Sequence, residues 1–567
     1  PPEASTATPW EALRAMLELL PRAVAELTVV FGERGQADFT EIAQGAVRAL
    51  GDPEAPTDLL LALDVRIKHI LVDEFQDTSI SQWELLKCLT AGWQAGDDGR
   101  TVFAVGDPMQ SIYRFREAEV RLFLQAWHAG LTSVPLVPLR LATNFRSEAG
   151  IVDWVNATFP EVLPAEEDET SGAVPYAPSV AHHAAIEGDA VQWHLFDERA
   201  DEAQRVVEIA RAARATDAAG SIAILVRNRS HLDCIVPALQ QAGVRYRAVE
   251  IERLGEKQVV QDLYALTRAL AHPADRAAWL AVLRAPWCGL SPAQLAALVE
   301  GVRDTVWEAM NDAERIALLD DDARSRLERV RGVLDAARAH RLRGNLRDRV
   351  EGVWLALGGP ACCSDATELE DAEIFLDVLA DEDDAGDLAA HSTLAESLAE
   401  LYALPDMNAG DDAIEIMTVH KAKGLEFDTV IMPGLDRRQR HGDPPLIIWK
   451  SLAEKALLLA PIREAGAAKD AAYEYVRSLE RDAEDIEAGR LFYVAATRAA
   501  SRLHLTGCIR RDDHGEAKPP VKRTLLSKVW AIASAHVGPA QAPRAAAAAT
   551  AVPPQTFKRF APGFVLP

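Results

Sequence analysis

The stretch KHILVDEFQDTS, Lys68 to Ser79, carries an apolar run, Ile70, Leu71 and Val72, into two adjacent carboxylates, Asp73 and Glu74. A third acid, Asp77, follows three residues on. In open parallel sheets, ligands sit at the carboxyl ends of strands. A carboxylate there can hold Mg2+ through water, and its neighbour can take a proton from an attacking water. A strand that simply turns into solvent through polar residues has the same pattern, so the acids alone leave both readings open. The next apolar run, in TVFAVGDPMQSIYRFREAE (101–119), also ends on an acid, in Gly-Asp-Pro. It then delivers Gln110 and a cluster of Tyr113, Arg114, Phe115 and Arg116. A Gln beside a metal-bound phosphate can sense the γ-phosphate. Aromatics interleaved with Arg suit base stacking and backbone contact on single strands. As isolated residues, Tyr113 and Phe115 would more often belong to a core.

These side chains need elements to position them. Short apolar runs recur at HILV (69–72), TVFAVG (101–106), SVPLVPL (133–139), IAILVR (222–227), AIEIMTV (413–419), TVIMPGL (429–435) and RLHLTG (502–507). Several are β-branched and unalternating, as expected of parallel strands buried on both faces. Helical patterns lie between most of them, which predicts an α/β architecture. WEALRAMLELLPRAVAEL and DFTEIAQGAVRAL read as helices, the second opening on Asp38 as cap with Glu41 three residues later. Residues 258 to 404 break the alternation and read as almost all helix, an insertion between two strand clusters. The Ala/Pro-rich stretch GPAQAPRAAAAATAVPPQ reads as linker.

A chain of 567 residues, 49% hydrophobic, is ample for several domains. Its formal net charge of −26 argues against a simple phosphate-coating nucleic-acid binder, although a groove can still be locally basic. Much of the acid falls between Ser364 and Asp387, a run read as a solvated face or loop. The six scattered cysteines include no C-x-x-C pair, which predicts a reducing, cytoplasmic setting without a zinc site or disulfide framework. No apolar run approaches the roughly 20 residues that cross a bilayer, and the start of the chain does not read as a signal peptide.

VDEFQDTS followed by VGDPMQSIYRFREAE resembles motifs II and III of the UvrD/Rep superfamily 1 DNA helicases. LATNFRSEAGIVDWVN (141–156) resembles motif IV, IMTVHKAKGLEFDTVIMPGL (416–435) motif V, and EAGRLFYVAATRAASRLHL (487–505) motif VI. Five long motifs in order make a specific signal, extending over roughly residues 38 to 530. IAILVRNRSHLDCIVPALQQAGVRYRAVEI and RAAWLAVLRAPWCGLS are more similar to the RecB/AddA recombination-repair branch. The resemblance implies two RecA-like parallel-sheet motor domains, the first incomplete, with a largely helical inserted subdomain. Its boundaries would be 1–67 for the end of a helical subdomain of the first motor half, 68–143 for part of the first RecA-like domain, 144–257 and 405–510 for the second, 258–404 for the insertion, and 511–567 for a C-terminal helix and tail.

The resemblance also implies roles. Asp73 would bind Mg2+ and Glu74 would be the general base for ATP hydrolysis. Gln110 would couple the γ-phosphate to the DNA-binding loop, and Phe145 would stack near adenine. Arg146 and Arg498 would be arginine fingers, Glu426 would contact the ribose, and Gly424 would allow close backbone approach. Tyr113, Phe115, Arg116, Thr418 and His420 would line the DNA path. On their own, the arginines fit surface ion pairs and His420 a buried histidine. The implied partners are ATP, Mg2+, single-stranded and duplex DNA, and a second helicase–nuclease subunit.

Two departures temper this. The family's phosphate loop, G-x-x-x-x-G-K-[ST], has no counterpart in the chain, since no Gly-Lys is followed by Ser or Thr. FGERGQADF (31–39) has two glycines without the spacing or the Lys. The missing loop, the missing Met and the short stretch before Asp73 lead to the expectation of an N-terminal truncation that leaves this chain inactive alone. No acid/Lys cluster of a nuclease follows Gly507, so nuclease activity is not assigned. Two functions remain: an ATP-driven 3′→5′ motor of recombinational repair, and a non-catalytic DNA-binding or scaffolding subunit.

Overall fold

In a computed structural model, residues 7–52, 54–93, 99–131, 134–248, 253–302, 304–339, 344–364, 366–384, 387–388, 391–402, 413–438, 445–451, 457–461, 470–539 and 559–561 are described. The chain divides into two compact units, one of residues 1–242 and 418–540, the other of 243–417 and 541–567. Both are α/β or helical, and the strand pairs that carry the motifs are parallel.

In the first unit, His69–Val72 pairs in parallel with Thr101–Ala104. Val72, Val102 and Ala104 pack on a core of Phe75, Trp83, Leu122, Ala126 and Leu131. The opposite face is open: Leu71 is 76% and Phe103 54% exposed. The expectation of burial on both faces fails here because helices cover one side only among the described residues. The run SVPLVPL does not form a strand. Only Val134 bridges, to Leu131, and residues 135–140 lie in no element. Pro135 and Pro138 have no N–H to donate to a ladder.

A second sheet in this unit orders Val191–Phe196, Ala499–Cys508, Phe427–Met432 and Ile222–Val226, all parallel. Ile222–Val226 is buried at every position, as its unalternating sequence predicts. Ile224 is fully buried, so Ile224→Val should lower stability by about 0.5–1.5 kcal/mol through the lost methylene and its cavity. Urea titration of the variant checks this. Val191–Phe196, with its Trp and His, escaped the sequence reading, as did the short parallel pair Thr143–Glu148 with Val180–His183. Helix Phe39–Leu50 starts as predicted, with the Asp38 carboxylate accepting from the Glu41 N–H at 2.7 Å. The Glu41 side chain does not complete the capping box and pairs with Arg48 instead.

The second unit holds the strand Tyr246–Ala248, paired in parallel with Ile414–Thr418 through Ile414, Glu415 and Ile416, and a run of helices from Gln258–Ala271 to His391–Glu400. Its core includes Leu263, Trp279, Trp287, Leu327 and Phe375. Helix starts here carry their own caps: Ser291 with Gln294 and Thr305 with Glu308 form reciprocal capping boxes. The acidic run is not wholly solvated. It forms helix Ala366–Asp381, in which Asp371 is buried and Glu373 and Asp377 both pair with Arg347. The Ala/Pro stretch from 540 to 558 lies outside the described residues. Among the described residues, no helix is long and apolar enough to cross a membrane. All six cysteines are free.

Candidate functional site

The two short strands end side by side and their ends are stitched together. The Phe75 N–H donates to the Val105 carbonyl at 2.9 Å, and the Val105 N–H to Val72 at 2.9 Å. Buried Gln76 accepts from the Asp107 N–H at 3.0 Å and donates to the Glu74 carboxylate. Gly106 allows this approach, because a Cβ there would sit 2.1 Å from Gln76 Oε1. Glu74 has φ +50°, one of three non-glycine residues with positive φ among the described residues. A left-handed conformation costs on the order of 1–2 kcal/mol and persists where its surroundings fix it. The Glu74 N–H donates to Asp73 Oδ1 at 2.8 Å.

Lys423 closes on these acids. Its Nζ lies 3.0 Å from Glu74 Oε2 and pairs with Asp77, and its side chain is only 5% exposed. Burial pushes the Glu74 carboxyl up, but the Lys423 hydrogen bond and charge, with Gln76, bring it below its usual value. Asp77, more deeply buried, is pushed up despite Lys423. Glu74 is therefore a carboxylate at neutral pH, able to accept a proton once Lys423 moves away.

Gln110 links the strand end to an arginine. Its Nε2 donates to Asp107 Oδ2 at 2.9 Å, and its Oε1 accepts from Arg498 at 3.3 Å. Arg498 is 1% exposed and also donates to the Leu425 carbonyl at 3.0 Å. Burial, then the charge of Arg146, lowers its pKa to about 10, which leaves it cationic at pH 7. Arg146 donates to Glu426 Oε2 at 3.0 Å and to the Thr497 carbonyl at 3.4 Å. Gly424 has φ +86° with open space where a Cβ would point, so it leaves the backbone accessible. Phe145 is 66% exposed, 4.8 Å from the His182 ring, and the His183 Nε2 lies 2.8 Å from the Phe145 carbonyl oxygen. The structure thus joins Glu74 with Lys423, Gln110 with Arg498, and Arg146 with Glu426. The Asp73 carboxylate accepts from the Glu74 N–H, and Phe145 has its ring neighbour in His182.

A second cluster stands beside the first. The Tyr113 hydroxyl donates to the His420 carbonyl at 2.9 Å, and Phe115 meets the His420 ring edge-on at 5.3 Å. The Arg116 guanidinium lies 5.4 Å from the Tyr113 ring and 5.6 Å from Phe115. Phe115 is 66% exposed, which a core residue would not be. Thr418 closes the turn beneath them, its carbonyl accepting from Lys421 at 3.0 Å and Ala422 at 3.2 Å. His420 is neutral, because burial lowers its pKa to about 4.

Helix Ala471–Ala496 spans both clusters. Glu487 Oε1 accepts from the Arg114 N–H at 3.1 Å and Glu480 pairs with the Arg114 guanidinium. Arg490 donates to the Ser111 and Gly172 carbonyls, both at 2.7 Å. The helix ends just before Arg498. One rigid element therefore grips the aromatic loop and sets the arginine on Gln110. Lys423, Asp107, Glu480, Glu487 and Arg490 went unassigned from sequence. All but Glu480 lie inside the quoted motifs, and a cation opposite clustered acids is the signal that points to Lys423.

Four histidines of this unit, His194, His231, His420 and His504, have pKa values lowered to about 4, burial being the first cause in each. Unfolded, each would take a proton near pH 6.5. Their contribution to stability is complete above that pH and is lost as pH falls toward 4. The urea midpoint should therefore drop steeply between pH 6.5 and 4. A midpoint flat across that window would show these histidines protonated in the fold.

The sequence profile of the UvrD/REP helicase N-terminal domain matches residues 7–129, and that of the UvrD-like helicase C-terminal domain matches 139–313 and 361–509. Curated relatives include an ATP-dependent helicase/nuclease subunit from Desulforudis audaxviator, 27% identical over 89% of this chain and 46% of the relative. Its namesake from Bacillus cereus is 26% identical over 86% of this chain and 44% of the relative, and that from Geobacillus kaustophilus 25% over 88% and 44%. The chain spans about half the length of the curated relatives it matches. By the match of the C-terminal profile over more than half its length, the chain belongs to the UvrD-like helicase family.

Proposed function

We propose that this chain is part of an ATP-driven motor that moves 3′→5′ on single-stranded DNA and opens duplex in recombinational repair. The observation that carries the reading is the chain of contacts Asp107–Gln110–Arg498 beside Glu74, with the Tyr113–Phe115–His420 cluster held by the same helix. Glu74 would accept the proton of the attacking water. Arg146 and Arg498 would bind the transferred phosphoryl oxygens, with planar, permanently charged forks suited to that task. Phe145 would stack on adenine and Glu426 would hold the ribose, after releasing Arg146. The exposed carboxylate Asp73 fits Mg2+, which when bound would neutralise phosphate charge. Tyr113, Phe115, Arg116, Thr418 and His420 would face the DNA strand, and Gln110 would report the γ-phosphate to them. The relatives are named as subunits of a helicase/nuclease, which supports a partner in the form of a second such subunit.

A second reading is a DNA-binding subunit without turnover; the 567 residues contain no Gly-Lys followed by Ser or Thr, so a phosphate loop is what separates the two readings. Strand separation decides direction and activity together. A form of the protein carrying a phosphate loop ahead of residue 1 should unwind a duplex with a 3′ single-stranded tail and leave a 5′-tailed duplex intact. Unwinding of the 5′-tailed duplex alone would overturn the direction. Binding without unwinding of either, and without ATP turnover, would favour the second reading.

A further inference from the structure

The C-terminal segment carries two residues that neither motor cluster uses. Arg559 and Phe560 lie against the helical unit. The Arg559 guanidinium is 3.6 Å from Asp322, on helix Asp321–Ala339. Phe560 packs against the unit's hydrophobic core, its ring 5.4 Å from the Arg329 guanidinium. The seat is shaped for a close backbone. Gly289 has φ +61°, and a Cβ there would stand 2.7 Å from the Arg559 Cβ. The rim is fixed by carbonyls: Arg326 donates to Cys288 and Gly289, and Arg329 to Trp287 and Leu357. Beyond Arg329 the surface continues as an open cleft of about 650 Å3, floored by small residues including Gly332, Ala336, Gly352 and Ala356.

The parts have complementary chemistry. An acid meets the Arg, a cation meets the aromatic face, and a glycine makes room for the chain between them. Cation–aromatic contacts and partial burial of a Phe each favour docking. The Arg559–Asp322 pair is solvent-exposed and contributes little by itself, which suits a contact that opens and closes. We propose that this face of the helical unit is a docking site for a short basic-aromatic peptide, Arg-Phe, occupied in cis by the chain's own C-terminal segment and released from it reversibly.

A fluorescent synthetic peptide of residues 555–567, added to the 567-residue chain and read by anisotropy, tests this. The Phe560→Ala chain empties the seat, so it should bind the peptide at least fivefold more tightly than the unaltered chain does. Adding Asp322→Lys to Phe560→Ala should abolish that gain. A peptide carrying Arg559→Glu should recover it, which separates a lost ion pair from a damaged fold. Equal binding by the unaltered and Phe560→Ala chains would overturn the proposal. So would binding indifferent to Asp322→Lys, or failure of the charge-reversed peptide to recover affinity.

Discussion

In a form that carries a phosphate loop ahead of residue 1, Glu74→Gln should reduce ATP turnover at least a hundredfold and leave nucleotide affinity largely intact. The amide keeps the shape and the hydrogen bond from Gln76 but cannot take a proton, and general-base contributions of about 10²–10⁴-fold set the scale. Glu74 is suited to the role because Lys423 and Gln76 keep it ionised and its strained backbone fixes its direction. Without a phosphate loop, the 567-residue chain should show little or no turnover even with DNA present, since the backbone cradle and Lys that hold the phosphates are absent from its sequence. Steady-state ATPase and nucleotide-binding assays on both forms check this. Robust turnover by Glu74→Gln would make the strand-end acids structural. Robust turnover by the present chain would mean that other residues bind the phosphates.

Replacing Tyr113 and Phe115 together with Ala should weaken binding to single-stranded oligonucleotides tenfold or more. Stacking contributes on the order of 1–3 kcal/mol per base, so the loss of two rings covers that range. The Phe115 ring meets His420 only edge-on and stays exposed to receive a base, whereas the Tyr113 hydroxyl is held by the His420 carbonyl. Phe115→Ala alone should therefore account for most of the loss. His420, being neutral, adds no charge to the path, so affinity should hold level from pH 8 down to about pH 5. Unchanged affinity in the double variant, with the fold intact by circular dichroism, would assign both rings to packing.

Much of this was legible locally. Asp38 could be named as a cap because its partner is three residues away. Ile222–Val226 could be named as a buried strand because five apolar residues in a row have no polar face to offer water. The family motifs named the candidate site residues as a set. Distance defeated the rest. Lys423 and Asp77 are 346 residues apart, and only the fold brings the ammonium onto the acids. The Arg490 contacts to Ser111 and Gly172 are hidden in the same way. SVPLVPL misled because its apolar residues suit a strand while its two prolines deny it hydrogen bonds. Leu71 and Phe103 misled because composition tells that a strand is apolar but not which faces have a neighbour.

The most direct test of the motor reading is steady-state ATP hydrolysis by the phosphate-loop-bearing form as single-stranded DNA is added. Gln110, Arg498 and the aromatic loop are joined through one helix, so occupancy of the DNA path should change the nucleotide site. The rate should rise with DNA and saturate at the concentration that saturates binding, and the Tyr113/Phe115 double variant should shift that midpoint upward by the factor it loses in affinity. Turnover indifferent to DNA, with binding intact, would contradict the account.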